Sequence, residues 1–157
     1  MLIEGVDLSI GTGVQVTVRQ VAKALGPIDV LIVAPDVSLT KPAERLTDAD
    51  WARIVNTNLS GAFYACRAAG REMLNRTLPE DHAGPRGRIV IVDAWPDEEH
   101  SAASWAAKAG LSGLSTSLER EWGSRGIKVD LLLVDAETRD DPDATADSVM
   151  ELLLSVD

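Results

Sequence analysis

Three short apolar segments alternate along the chain with longer stretches of helical periodicity, and this alternation constrains the fold more than any other feature. The segments are 28–34 (IDVLIVA), 88–92 (RIVIV) and 127–134 (IKVDLLLV). Apolar runs of this length are typical of strands that are buried on both faces of a parallel sheet. The stretches between them are long enough for the crossover helices that parallel strands require. The pattern therefore predicts an α/β fold with three layers, α/β/α.

Helical spacing predicts four helices, at residues 13–25, 48–75, 101–122 and 146–156. Thr47 and Asp50 have the spacing of a capping box at the start of the second helix. Gly110 and Gly113 lie inside the third helix, where each costs ~1 kcal/mol relative to alanine. We therefore expect another backbone to pack closely against them. Because no linker interrupts the pattern, residues 1–157 are predicted to form a single domain.

Composition excludes several classes of function. A net charge of -10 over 157 residues disfavours binding to nucleic acids and to anionic membranes, which requires basic surfaces. No apolar run approaches the ~20 residues of a membrane span. The first residues lack the basic start of a secretory signal, so a cytoplasmic location is expected. Cys66 is the only cysteine, so no disulfide framework and no cysteine-based metal site is predicted.

Acidic side chains follow the predicted strands. In an open α/β sheet, ligands usually bind beyond the carboxyl ends of the strands. Asp36, Asp93 and Asp135 stand at or just after these ends. Any ligand site of the predicted sheet should therefore include these loops.

Several segments, in order and at matching spacing, resemble the short-chain dehydrogenase/reductase family. GPIDVLIVAP resembles the family's fourth strand, and LTDADWARIVNTNLSGAF resembles its fourth helix with the N-x-N-L signature. GRIVIVDA resembles the fifth strand, and WAAKAGLSGLSTSLEREWGSRGIKVDLLLV resembles the fifth helix and sixth strand. The likeness runs from about residue 5 to residue 156. It implies a Rossmann-like fold, which in the family's enzymes binds a nicotinamide dinucleotide.

Half of the family's catalytic tetrad is replaced in this chain. The tetrad asparagine and lysine correspond to Asn58 and Lys108, which are present. Ser104 occupies the tyrosine position four residues before the lysine, and Ala94 occupies the serine position. In the family, the tyrosine exchanges a proton with the substrate, the lysine lowers the tyrosine's pKa and the serine polarises the carbonyl group. The resemblance therefore implies a chain without the proton donor.

The family's cofactor motifs are altered as well. The Asn-Asn-Ala-Gly that follows the fourth strand reads VAPD at residues 33–36, and the Pro-Gly after the sixth strand reads Val-Asp at residues 134–135. Residues 2–9 resemble the end of the third strand. The first two strands, the glycine-rich phosphate loop and the final strand of the family thus have no counterpart. No NAD(P) or other cofactor is expected to bind.

The first residues carry two further expectations. Because the family's partners for that side of the sheet have no counterpart, residues 2–7 are predicted to pair with residues 28–34. The sheet would then have about four parallel strands, and the buried strand would not be left with an open edge. An alternative alignment makes residues 2–13 a first strand that ends in SIGTG, with Gly11 and Gly13 around a phosphate group.

Two interpretations apply to the remaining polar residues. In the first, Lys108 pairs with Asp93 or with another acidic residue across the site, and Asn58 has a structural role. In the second, a remnant pocket contains Asn58, Asp93, His100, Ser104 and Lys108, with Asp93 and His100 acting as acid and base.

The two best-preserved helices suggest a function. In the family, the fourth and fifth helices of two subunits form the main dimer interface. Helices 48–75 and 101–122 are complete here and include the small residues Ala65, Ala69, Ala106, Ala109, Gly110 and Gly113. The leading hypothesis is a non-catalytic protein that associates through these helices with itself or with a full-length relative. A non-redox lyase, isomerase or cyclase that uses the remnant pocket is the second hypothesis, and a weak NAD(P)-dependent oxidoreductase is the third.

Overall fold

The central sheet contains three parallel strands in the described part of the chain. They are β1 (Val30–Val33), β2 (Gly87–Ala94) and β3 (Ile127–Val134), in the spatial order β1-β2-β3. Each lies within one of the segments that apolar patterning predicts, or extends it by a residue or two. The structure is a computed structural model and describes every residue from 2 to 155 except 81, 95–100, 136, 137 and 139.

Helices alternate with the strands as predicted. They are α1 (Gly11–Leu25), α2 (Asp48–Ile54), α3 (Gly61–Asn75), α4 (Ala102–Trp122) and α5 (Pro142–Leu154). The helix predicted at 48–75 is interrupted by a wide π-helical turn, Val55–Ser60. The last helix begins four residues earlier than predicted, because Asp141 caps it and proline suits the first helical position.

Both faces of the sheet are covered, which confirms the three-layer α/β/α architecture and the Rossmann-like fold. On one face, Ile89, Ile91 and Val129 pack with apolar residues of α1, α3 and α4. On the other face, β2 and β3 pack against Val149 of α5. Cys66 is fully buried in the first of these cores, and burial raises the pKa of its thiol to about 12. It therefore behaves as a small apolar residue.

The predicted fourth strand is not formed. Residues 2–7 have no strand structure, and their predicted pairing with residues 28–34 is wrong. Leu8 instead lies over α3, so close to Gly61 that a Cβ there would be 2.9 Å from the Leu8 Cβ. Ser9 turns the chain directly into α1, since its N–H and hydroxyl both donate to the Asp7 carboxylate. These contacts fix residues 7–9 at the start of α1, and residues 2–7 are exposed.

The alternative phosphate loop is not formed either. Residues 2–10 form no strand before α1, and the backbone at Gly11 packs against the ring of Tyr64, 3.1 Å from the position of a Cβ. Gly13 faces the side chains of Val6 and Ile10. Because both glycines are occupied by apolar contacts within the chain, the alignment that makes them a phosphate cradle is wrong.

Not all of the small residues on the two long helices lie on the surface. Ala65 and Ala69 are buried in the core beneath α3. A Cβ at Gly110 would lie 2.7 Å from Leu59, so this glycine accommodates a side chain of its own chain. Gly113 has no atom within 4 Å of its Cβ position. The close backbone approach expected at both glycines is therefore absent within the described chain.

Candidate functional site

Asp93 and Lys108 form a buried ion pair at the carboxyl end of β2. Strand β2 places Asp93 beneath α4, and the Lys108 ammonium reaches down from that helix to 2.5 Å from Oδ1. Only 3% of the Asp93 side chain and 10% of the Lys108 side chain are exposed. The pairing that the first interpretation expects is thus present, and it engages the lysine within the fold.

The environment of Asp93 is electrostatically unusual. Burial raises the pKa of its carboxyl, the nearby Asp36 acts in the same direction, and the hydrogen bond and charge of Lys108 oppose both. Oδ1 also accepts the N–H of Ala94 at 2.9 Å. Oδ2 is buried and has no hydrogen-bond partner among the described residues. The carboxylate therefore depends on Lys108 for most of its stabilisation.

The residues at the positions of the family's tyrosine and serine, Ser104 and Ala94, provide no proton donor for a substrate. Ser104 is 1% exposed, and its hydroxyl lies 3.2 Å from that of Ser101, which caps α4. Ala94 is buried among apolar residues on the α5 side of the sheet. The Ser104 hydroxyl belongs to the start of a helix and does not line either cavity beside Asp93.

Asn58 fastens the loop that follows β1. It is buried in the π-helical turn, where its Oδ1 accepts the N–H of Val37 at 2.9 Å and its Nδ2 donates to the carbonyl of Val37 at 2.8 Å. A π-helical turn widens the helix locally and often marks a constrained site. The sequence indicates a structural role for Asn58 but not its partner, which lies 21 residues away.

The remaining residue of the predicted remnant pocket is not placed. His100 lies outside the described residues, so the proposed pairing of Asp93 with His100 stays a prediction. Of the other four, Asp93 and Lys108 are in contact, Ser104 lies one helical turn before the lysine, and Asn58 bonds elsewhere. Within the described ranges, no group of three or more His, Cys, Asp or Glu side chains is arranged to hold a metal ion.

Two cavities adjoin Asp93. One, of about 330 Å³, lies between α4 and β3 and is lined mainly by Trp105, Leu131 and Leu133, with Lys108 on its wall. The other, of about 150 Å³, lies at the carboxyl ends of the strands and includes Asp36. This second cavity occupies the place where sheets of this type bind ligands.

The described residues do not fit the nicotinamide dinucleotide that the resemblance implies. The cavity at the strand ends is smaller than the ~300–1,000 Å³ of typical small-molecule sites. Its lining carries the carboxyl group of Asp36, which would oppose an anionic pyrophosphate, and no basic side chain among the described lining residues offsets it. Lys108, the one tetrad cation, is held by Asp93.

Comparison with known proteins agrees with this fold. A sequence model described as short chain dehydrogenase matches residues 2–136. D-threitol dehydrogenase of Mycolicibacterium smegmatis is 33% identical over 126 residues, which cover 80% of this chain and 46% of that protein. 3beta-hydroxysteroid dehydrogenase 1 of Eggerthella lenta is 29% identical over 136 residues, covering 78% and 48%. The chain spans about half the length of the curated relatives it matches.

Solved structures give the same result. A metagenomic short-chain oxidoreductase in complex with NADP superimposes with a TM-score of 0.80 at 25% identity, over 98% of this chain and 68% of that one. No helix in the described part of the chain is long and apolar enough to cross a membrane. Because the matched region covers most of the sequence, the chain belongs to the short-chain dehydrogenase family.

Proposed function

We propose that this chain is a non-catalytic member of its family that acts by association through α3 and α4, with a second copy or with a full-length relative. The observation that carries the proposal is the burial of Lys108 against Asp93 at 2.5 Å. In the family's enzymes this lysine lowers the pKa of the tyrosine and holds the ribose. Here it neutralises a carboxylate of its own chain.

The residues around this ion pair support the loss of hydride-transfer chemistry. Ser104 is a far weaker acid than tyrosine and is shorter, and its hydroxyl is engaged at the cap of α4. Ala94 has no group with which to polarise a carbonyl. A weak oxidoreductase would need a proton donor that neither position supplies.

The same geometry disfavours a non-redox enzyme built on Asp93. A general base must reach a substrate proton to within about 2.6–3.2 Å. Oδ1 of Asp93 already accepts from Lys108 and from the Ala94 N–H, and Oδ2 is buried. Proton transfer at Asp93 would therefore require the ion pair to open first.

The exposed side of α4, part of which borders the cavity beside β3, supports the association. Exposed positions follow one another at helical spacing along this face: Ala102, Trp105, Ala106, Ala109, Gly113 and Thr116. Trp105 is 45% exposed, and Gly113 has open space over its Cβ position. Small residues around a single aromatic side chain let a second helix approach closely and give it an anchor.

Helix α3 carries a cluster of aromatic and cationic side chains, of which Tyr64 also packs against Gly11 of α1. The Arg67 guanidinium lies over the rings of Phe63 and Tyr64, 5.1 and 5.4 Å from their centroids. All three residues are partly exposed. Aromatic residues and arginine are enriched in protein interfaces, which agrees with a role for α3 in the same contact.

If the chain associates through α4, an added positive charge should weaken association when it lies on α4 but not when it lies on α5. Replacement of Ala106 by arginine on α4 should weaken association at least ~10-fold, because it places a long cation where two helices pack. Ala146→Arg on α5 is the matched control, since this alanine is also exposed on a helix but lies on the opposite side of the sheet. Sedimentation equilibrium, alone and with a full-length relative, measures both. A monomer at every concentration in both settings, or equal effects of the two variants, would contradict the proposal.

Loss of cofactor binding predicts a second result. Isothermal calorimetry with NADH and with NADPH should show no saturable heat for this chain, because the Asp36 carboxylate lines the strand ends and Lys108 is occupied by Asp93. A full-length family member that is titrated in the same way provides the positive control. One-to-one binding of either nucleotide by this chain would contradict the loss of cofactor binding.

A further inference from the structure

Two arginines close the base of the loop between α3 and β2. Nη2 of Arg76 donates to the Arg86 carbonyl at 2.5 Å, and Nη1 of Arg86 donates to the Arg76 carbonyl at 2.8 Å. Each arginine thus binds the backbone of the other across ten residues, and we call this reciprocal pair the neck. Because the chain enters and leaves residues 77–85 through the neck, this stretch is a surface loop whose two ends are close.

The neck is fastened to the beginnings of the three described strands. Arg76 also donates to the carboxylate of Asp29, which stands directly before β1. Arg86 stands directly before β2, and its N–H donates to the carbonyl of Gly126, directly before β3, at 2.6 Å. Only 16% of the Arg76 side chain is exposed. The neck is therefore part of the packed structure at the amino ends of the strands.

The loop itself depends little on the rest of the fold. Its described residues are exposed apart from Leu78, which is half-buried. The hydrogen bonds found within this described stretch are local, since the His82 N–H donates to the Pro79 carbonyl and the His82 Nε2 lies 3.1 Å from the Pro85 carbonyl oxygen. Exposed backbone of this kind is where cleavage of a chain is tolerated best.

A cut in the loop would leave the contacts between the two halves of the chain in place. Strand β1 of the first half pairs with β2 of the second half. The Trp122 ring packs on Gly70 of α3, where a Cβ would be 2.7 Å from that ring. The neck adds hydrogen bonds between Arg76 of one half and Arg86 of the other. The new chain ends would lie outside all of these contacts.

We propose that the neck makes this loop a permissive site, at which a protease can cut the chain without loss of the fold. The site consists of the exposed residues 82–85. Hydrolysis there adds one water across a peptide bond, so that the C–N bond breaks and a carboxylate and an ammonium group form. The product is a two-chain form of the same fold, in which the neck helps to hold the halves together.

This proposal is independent of association through α3 and α4. The loop lies at the amino ends of the strands, whereas the Asp93–Lys108 pair lies at the carboxyl end of β2 and entirely within the second half. A cut in the loop therefore leaves that ion pair intact, and the failure of one proposal would not affect the other.

Cleavage at two different loops is the first test. A recognition sequence for a sequence-specific protease is inserted between Ala83 and Gly84 and, as a control, between Leu39 and Thr40. The control loop is fastened to the fold, because the Leu39 carbonyl accepts the N–H of Ser101 at 3.1 Å. The halves of the chain cut after Ala83 should elute together in size-exclusion chromatography and keep the near-UV circular dichroism of the uncut chain.

Urea denaturation compares the two cut chains. Both cuts make unfolding bimolecular, so the comparison is made at one protein concentration. The chain cut after Ala83 should unfold at a higher urea concentration than the chain cut after Leu39. Separation of the halves after the Ala83 cut, or a urea midpoint no higher than that of the cut control, would overturn the proposal.

The second test isolates the neck. Arg76→Met removes the guanidinium that binds Arg86 and Asp29, whereas Arg71→Met removes an exposed arginine of α3 and is the matched control. In the chain cut after Ala83, Arg76→Met should weaken binding between the halves at least ~10-fold, because charge-assisted hydrogen bonds are lost, and Arg71→Met should match the parent. If the uncut Arg76→Met chain does not fold, Asp29→Asn, which weakens one bond of that guanidinium, takes its place. Equal affinities of the halves in the variant and its control would overturn the proposal.

Discussion

Replacement of Lys108 by methionine is expected to destabilise the chain by about 3–5 kcal/mol, because it leaves the Asp93 carboxylate buried and unpaired. Methionine keeps much of the apolar length of lysine, so the loss reports the charge more than the packing. Urea denaturation at pH 7 measures the free energy of unfolding. If Lys108 served mainly to hold a cofactor, the stability of the free chain would not change.

Two control variants isolate the buried charge. Asp93→Asn combined with Lys108→Met removes both charges and should recover most of the loss, since replacement of a whole buried pair is often close to neutral. Lys41→Met breaks the more exposed Lys41–Asp50 pair, whose atoms lie 2.6 Å apart, and should have a much smaller effect. A double variant as unstable as the single one would mean that packing, and not charge, explains the result.

The loss in Lys108→Met should also depend on pH. Burial raises the pKa of Asp93, and without the lysine the opposing contribution disappears. The native carboxyl then binds a proton more tightly than the unfolded chain, whose aspartate pKa is ~3.9. The free energy of unfolding of Lys108→Met therefore rises as the pH falls from 7 through the native pKa of Asp93. Its difference from the free energy of unfolding of the unaltered chain becomes smaller. With asparagine at position 93, this part of the pH dependence should vanish.

Asn58→Asp is expected to cost about 3 kcal/mol at pH 7, although the two side chains have almost the same size. The amide donates to the carbonyl of Val37 at 2.8 Å, and an ionised carboxylate would place two acceptors against each other in a site that is 2% exposed. The expected loss combines a missing hydrogen bond with the burial of a charge. Thermal or urea unfolding measures it.

Asn56→Asp in the same π-helical turn is the matched control, because Asn56 is exposed and the substitution there should change stability little. Lowering the pH should rescue Asn58→Asp, since burial raises the pKa of the new carboxyl and its protonated form can donate to Val37 again. If the loss of stability in Asn58→Asp were the same at pH 7 and at pH 4, the Asn58 carboxamide would not act through its hydrogen bonds.

The buried strands and the helices between them could be predicted closely from the sequence. Apolar runs at 88–92 and 127–134 have few ways to leave water other than as covered strands, so their positions agree with β2 and β3 to within two residues. The pairing of Lys108 with Asp93 was also foreseeable, since a strand end and the following helix converge at one side of the sheet. Each of these features depends mainly on residues that are close in sequence or on burial alone.

Tertiary contacts decided the rest. Leu8 packs on Gly61 of α3, and a period-2 or apolar pattern contains no information about that contact. Asn58 binds Val37 across 21 residues, and Glu119 reaches the N–H of Val129 in β3 only because Gly123 leaves space. The rotation of α3 buries Ala65 and Ala69, while Gly113 of α4 stays open to solvent. The local sequence pattern thus determined which segments form strands and helices. The packing of side chains that are distant in sequence determined which surfaces remain exposed. That packing depends on distances in space, which no local spacing specifies.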